Sequence, residues 1–129
     1  MTFTWSFKAK FSEEFVRYPE DQQLKIVEFT DIFEKHGLVN FNKYVGKITP
    51  SWYGLEVHHP VYKFAQQHSL WHYHIGIPKY ESVHSKYLTS DWVLHFQWEN
   101  RGTHIDIVDI CYHYKHDGTF HLPSAEYLV

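Results

Sequence analysis

"TFTWSFKAKFSEEFVRYPEDQQLKIVEFTDIFEKHG", residues 2–37, changes its hydrophobic period twice, and those changes decide the fold class. Residues 2–8 alternate, with Phe3, Trp5 and Phe7 on one face, which predicts a short strand. Over 9–18 the spacing becomes four and three, at Phe11, Phe15 and Tyr18, which predicts a short helix. Pro19 ends that helix and can open the next. The next helix is expected over 19–36, with Ile26, Phe29 and Phe33 on one stripe flanked by Leu24, Val27 and Ile32. Gly37, after Lys35 and His36, is its stop signal.

Residues 38–68 read as irregular, because Gly46, Pro50, Gly54 and Pro60 interrupt any period. Three strand-like runs follow, at 70–77, 91–98 and 103–114. "ENRGT" is a turn signal between the last two, "HDGT" at 116–119 is another, and 78–90 reads as a longer loop. The expected fold is α+β: an antiparallel twisted sheet with two N-terminal helices on one face and the other face free. No repeat or composition shift divides the chain, so 1–129 is read as one domain.

Composition narrows the function classes. Hydrophobic residues make up 43% and aromatics 19%, too much for a disordered chain. The formal charge is −3, so capture of nucleic acid by bulk charge is not favoured. Twelve histidines can add positive charge near their ordinary pKa. The single cysteine, Cys111, excludes an intramolecular disulfide and a CxxC zinc site. No apolar h-region and no run of about 18 apolar residues is present, so neither a signal peptide nor a membrane span is expected, and the cytoplasm is the default. There is no GxSxG, P-loop or GxGxxG pattern.

The chemistry sits in histidines. In "SLWHYHIGIPKY", residues 69–80, His72 and His74 share one strand face while Trp71, Tyr73 and Ile75 take the other. His95 and His113 fall on the two later strands, and Lys79, Lys86 and Lys115 near strand ends. Metal-free RNA cleavage needs a base for the 2′-hydroxyl, an acid for the departing 5′-oxygen and cationic donors for the phosphorane. Histidine supplies the first two and lysine the third. Each histidine also has a plainer reading: His72 and His74 as polar residues on a wet sheet face, His95 as a hydrogen-bonded structural group, and His58 and His59 as solvated loop residues. A third reading is metal ligation by His72 and His74, with Glu81 and His113 loosely completing a cupin-like set. No bound metal and no cofactor are expected, because the His-x-His pair shows no firm third ligand or supporting partners.

The order of elements also resembles a known family. "WSFKAKFSEEFVRYPEDQQLKIVEFTDIFEKHG" is similar to the opening of the RelE/ParE toxin superfamily, and "NKYVGKITPSW" to the link that follows. "LWHYHI" stands where that family has a Leu-Trp/Tyr pair followed by basic residues. "ICYHYK", 110–115, resembles the His-Tyr ending of YoeB-type mRNA interferases. The resemblance implies a RelE-like fold and a toxin of a type II toxin–antitoxin system. Such a toxin cuts mRNA on the ribosome without a metal and is held inactive by a cognate antitoxin. It also implies that His113 and Tyr114 are the catalytic acid/base pair, joined as catalytic candidates by His72 and His74, which fall where the family often has Arg or His. The RNA-cleavage chemistry above makes His95, Lys79, Lys86 and Lys115 the candidate RNA contacts. The chain's two arginines, Arg17 and Arg101, lie outside the family's arginine positions. The ParE branch acts on gyrase rather than RNA, so a non-nuclease toxin or a protein-binding module is the alternative.

Overall fold

The computed structural model describes residues 2–82, 88–114 and 119–129. Strand β1 (Thr4–Phe7) leads into helix α1 (Ala9–Phe15) and helix α2 (Glu20–His36). After these come β2 (Ile48–Pro50), α3 (Pro60–Gln67), β3 (Leu70–His74), β4 (Glu81–Ser82), β5 (Leu88–Thr89), β6 (Trp92–Gln97) and β7 (His104–Tyr112). Helix α2 starts with acidic Glu20 and Asp21 and ends with basic Lys35 and His36, each complementing the helix dipole. Gly37 stops it at a φ of +59°, and a Cβ there would lie 2.3 Å from the Phe3 ring. Both the left-handed backbone and the aromatic contact demand glycine.

Five strands form one sheet in the order β1-β7-β6-β3-β2. The expected meander is present as β3, β6 and β7, paired antiparallel with His72 opposite His95 and Leu94 opposite Ile110. Two strands complete the sheet beyond the sequence expectation. β1 closes one edge by pairing parallel with β7, Trp5 opposite Ile105. β2 closes the other edge antiparallel to β3, Thr49 opposite His72. The sheet is therefore mostly, not wholly, antiparallel. Part of the segment read as a loop at 78–90 forms the small β4–β5 pair.

The main core lies between α2 and the sheet face that carries Trp71, Tyr73 and Phe96. Ile26, Phe29 and Phe33 are buried at the expected helical spacing. Phe29 stacks on Tyr73 at 5.0 Å and meets Phe96 at 5.6 Å. Each fully buried aromatic of this kind contributes about 2–3 kcal/mol through removal from water.

The opposite face is covered rather than free. Helix α3 and the C-terminal segment bring Ala65 and Leu128 onto Leu70 and Val108, with Phe64, Trp52 and Leu122 around them. Helix α3 lies in the stretch read as irregular. His59 caps it by accepting from the Val61 N–H at 3.1 Å, and Pro60 is its first residue. At eight residues its period is too short to show against the neighbouring Gly and Pro, and tertiary packing of Ala65 stabilises it. Among the described residues no helix is long and apolar enough to cross a membrane.

Candidate functional site: a histidine cleft

Three of the sequence-predicted histidines converge. His72 and His74 project from β3 on the same side, as strand period requires. His113 follows the last residue of β7, and its N–H donates to the Asp91 carbonyl at 2.8 Å, just before β6. That bond extends the β6–β7 ladder by one pair, which keeps His113 on the sheet face of Val93 and His95, the face that carries His72 and His74. The His113 ring then stacks on His74 at 5.1 Å and 23°, and meets His72 edge-on at 5.2 Å. One ring nitrogen from each of the three histidines lies within 4.8 Å of the others. Phe120 walls the cluster, 4.9 Å from both the His72 and His113 rings.

The cluster forms the floor of a cleft of about 840 Å³. Lys47 and Ser51 from the β2 edge line it, as do Tyr112 and Tyr114 from the end of β7. Tyr114 is 61% exposed, so its phenol stands at the mouth and not in the floor, while the Tyr112 ring packs on Trp92 at 4.6 Å.

Hydrogen bonds hold the imidazoles by one nitrogen. His72 Nδ1 lies 3.0 Å from Ser51 Oγ, and His74 Nδ1 3.0 Å from the Ser90 carbonyl. The Ser90 N–H also lies 3.0 Å from His74 Nδ1, so either tautomer of that ring finds a partner. Ser90 is fixed in turn, its hydroxyl donating to the Trp92 carbonyl at 2.7 Å and accepting from the Gly76 N–H at 3.0 Å. By contrast, among the described residues His72 Nε2 and His113 Nδ1 are buried without a hydrogen-bond partner. Buried polar atoms are rarely left so, because each costs about 1–3 kcal/mol of lost hydration.

Burial first, and neighbouring positive charge second, keep the cluster neutral. Desolvation holds His72 well below its ordinary pKa of 6.5, with the charges of His95, His113, His74 and Lys47 acting in the same direction. His74 is lowered by burial, opposed by its bond to the Ser90 backbone. His113 falls to about 4 through burial, His74 and Lys47. At neutral pH all three rings are therefore uncharged bases with lone pairs.

The other sequence-predicted residues separate from this cleft. His95 pairs with His72 across the sheet but is 0% exposed, so it stands behind the cluster and meets no solvent. Among the described residues neither of its ring nitrogens closes a hydrogen bond of ordinary geometry, although the His121 backbone is near enough to favour the charged form. Lys79 is exposed and does not line the cleft. Lys86 and Lys115 lie outside the described residues. His58 and His59 are exposed, and Glu81 lines the cleft without joining the three-histidine group.

Lys47 was not legible in the sequence. It is placed by backbone contacts: its carbonyl accepts from the His74 N–H at 2.9 Å and its N–H donates to the Leu88 carbonyl at 2.9 Å. Gly46 makes this approach possible, since a Cβ there would fall 1.8 Å from the His74 carbonyl oxygen. The available signal was "TP" at 49–50, a proline at the end of a short strand, which belongs at a sheet edge.

No protein-family model matches the chain, and neither a curated protein nor a solved structure does.

Proposed function

We propose that this chain is a RelE/ParE-like toxin acting in the cytoplasm, an endoribonuclease that cuts mRNA on the ribosome and is restrained by an antitoxin. The observation that carries the reading is the meeting of His72, His74, His113 and Tyr114 in one cleft beside Lys47. The strand–helix–helix opening followed by a meander is consistent with it. Exposed Tyr114 at the mouth offers a flat face on which an unpaired base stacks.

The chemistry follows from the protonation states. His113, neutral and half-buried at the front of the cluster, takes the proton from a 2′-hydroxyl. The 2′-oxygen attacks the adjacent phosphorus, and the bond to the 5′-oxygen breaks, leaving a 2′,3′-cyclic phosphate. His74, stacked against His113, returns a proton to the departing 5′-oxygen; the phosphate's negative charge beside it favours the imidazolium this requires. Lys47 balances charge on the phosphorane. Tyr114 orients the nucleotide.

The test is induced expression with mapping of mRNA ends, followed by cleavage of translated mRNA with purified protein. His113→Ala should lose about 10²–10⁴ in rate, while His58→Ala should cut as wild type does. Full activity in His113→Ala would remove the assignment. Loss of plasmid supercoiling with intact mRNA would move the reading to the gyrase-directed branch.

A further inference from the structure

We propose that His72, His74 and His113 form a binding site for a zinc-class divalent transition ion, with the fourth coordination position open to the cleft. The inference goes beyond the nuclease reading and is tested by metal binding itself. Sequence reasoning expected no metal, because the His-x-His pair showed neither a third ligand nor supporting partners. The fold supplies both.

The third ligand is His113, which the continued β6–β7 ladder keeps on the face of His72 and His74 and whose ring lies 5.2 and 5.1 Å from theirs. Three ligands about 2.0–2.1 Å from a tetrahedral ion stand roughly 3.3 Å apart. Nitrogens within 4.8 Å of one another lie up to roughly 1.5 Å outside that spacing, a gap that ion binding closes by turning the rings toward the ion. The supporting partners are Ser51 Oγ on His72 Nδ1 and the Ser90 carbonyl on His74 Nδ1. Histidine ligands commonly donate the second ring N–H to a hydroxyl or carbonyl, which aims the other nitrogen's lone pair at the metal. His72 is 4% exposed, yet among the described residues its Nε2 has no partner, and His113 Nδ1 is likewise buried and unpaired. An ion between the rings satisfies both atoms at once.

Three neutral nitrogen donors select zinc, cobalt, nickel or copper over magnesium or calcium, which require oxygen. Lys47 is the opposing group, since its ammonium is near enough to act on all three rings. The ion would occupy the same lone pairs that proton transfer uses. Metal loading therefore turns the proposed nuclease off, and the site becomes its regulator.

The experiment is cobalt(II) titration of tag-free, chelator-stripped protein, read by absorption, with zinc displacement and calorimetry. One cobalt per chain with intense tetrahedral d–d bands, displaced by one zinc, is expected. His113→Gln, chosen because His113 is only half-buried and the fold should survive, should weaken binding by more than about 100-fold, beyond the range for a supporting partner. Ser51→Ala should weaken it by about 10–100-fold. Far-UV circular dichroism verifies that both variants fold. Weak octahedral spectra, or undiminished affinity in His113→Gln, would overturn the proposal. Lys47→Met separates the two readings: it should tighten cobalt binding while slowing RNA cleavage. Cobalt binding with no RNA cleavage by the stripped protein leaves the metal site standing and refutes the nuclease; cleavage without cobalt binding does the reverse.

Discussion

Replacing His95 with leucine should stabilise the protein, and the gain should grow as pH falls. His95 is 0% exposed, and among the described residues neither ring nitrogen closes a hydrogen bond of ordinary geometry, with the His121 backbone close by. A buried unsatisfied polar group costs about 1–3 kcal/mol, and leucine of similar volume carries none. The expected gain at pH 7.5 is therefore on the order of 1–3 kcal/mol. The pH term adds to it. Burial, then the charges of His121 and His113, lower the folded pKa of His95 to about 3 from an ordinary 6.5. Between those values the unfolded chain binds more protons than the folded one. Wild-type stability from this group is thus complete above pH 6.5 and is lost as pH falls below it. At pH 5 the unfolded imidazole gains 1.36 × log(1 + 10^1.5), about 2 kcal/mol, and the folded one almost nothing. The advantage of His95→Leu should therefore widen by roughly 2 kcal/mol between pH 7.5 and 5. Urea unfolding followed by tryptophan fluorescence, at fixed ionic strength with chelator present, measures it. A gap that stays constant across that range, or a variant less stable at both pH values, would refute the reasoning.

Other outcomes follow from single contacts. Gly46→Ala should cost about 3 kcal/mol, the upper end for overpacking, because its Cβ would sit 1.8 Å from the His74 carbonyl oxygen; an unchanged urea midpoint would remove the argument that Gly46 seats Lys47. Phe29→Ala should cost about 3–5 kcal/mol, since it opens the core against Tyr73, Tyr44 and Phe96, and thermal unfolding should show the loss. Asp109 is 8% exposed, and burial pushes its carboxyl up to about 7 from 3.8. A folded acid that keeps its proton longer than the unfolded one loses stability as pH rises from 4 to 7. Asp109→Asn should therefore match wild type near pH 4 and exceed it above pH 7 by up to roughly 4 kcal/mol, (7 − 3.8) × 1.36, and a pH series of melting temperatures decides it.

Local period alone determined much of this fold. Alternation at Phe3, Trp5 and Phe7, helical spacing at Ile26, Phe29 and Phe33, and the Gly37 stop each arise within a few residues, so β1, α2 and the three meander strands were legible. The same period put His72 and His74 on one face. Nothing local could say that β1 returns to pair parallel with β7, because that bond joins residues a hundred positions apart. Nor could it reveal α3, whose eight residues are held by contacts with Leu70, Val108 and Leu128 rather than by their own propensity. The site divides in the same way. Sequence supplied the imidazoles; tertiary structure decided which of them meet. The β6–β7 ladder, continued through Asp91, puts His113 on the face of His74, a glycine's missing Cβ admits Lys47, and His95, set against His72 by cross-strand pairing, is buried from solvent. Burial and proximity are properties of the assembled sheet, so the neutrality of these histidines, and the buried ring nitrogens without a partner among the described residues, exist only once it has formed.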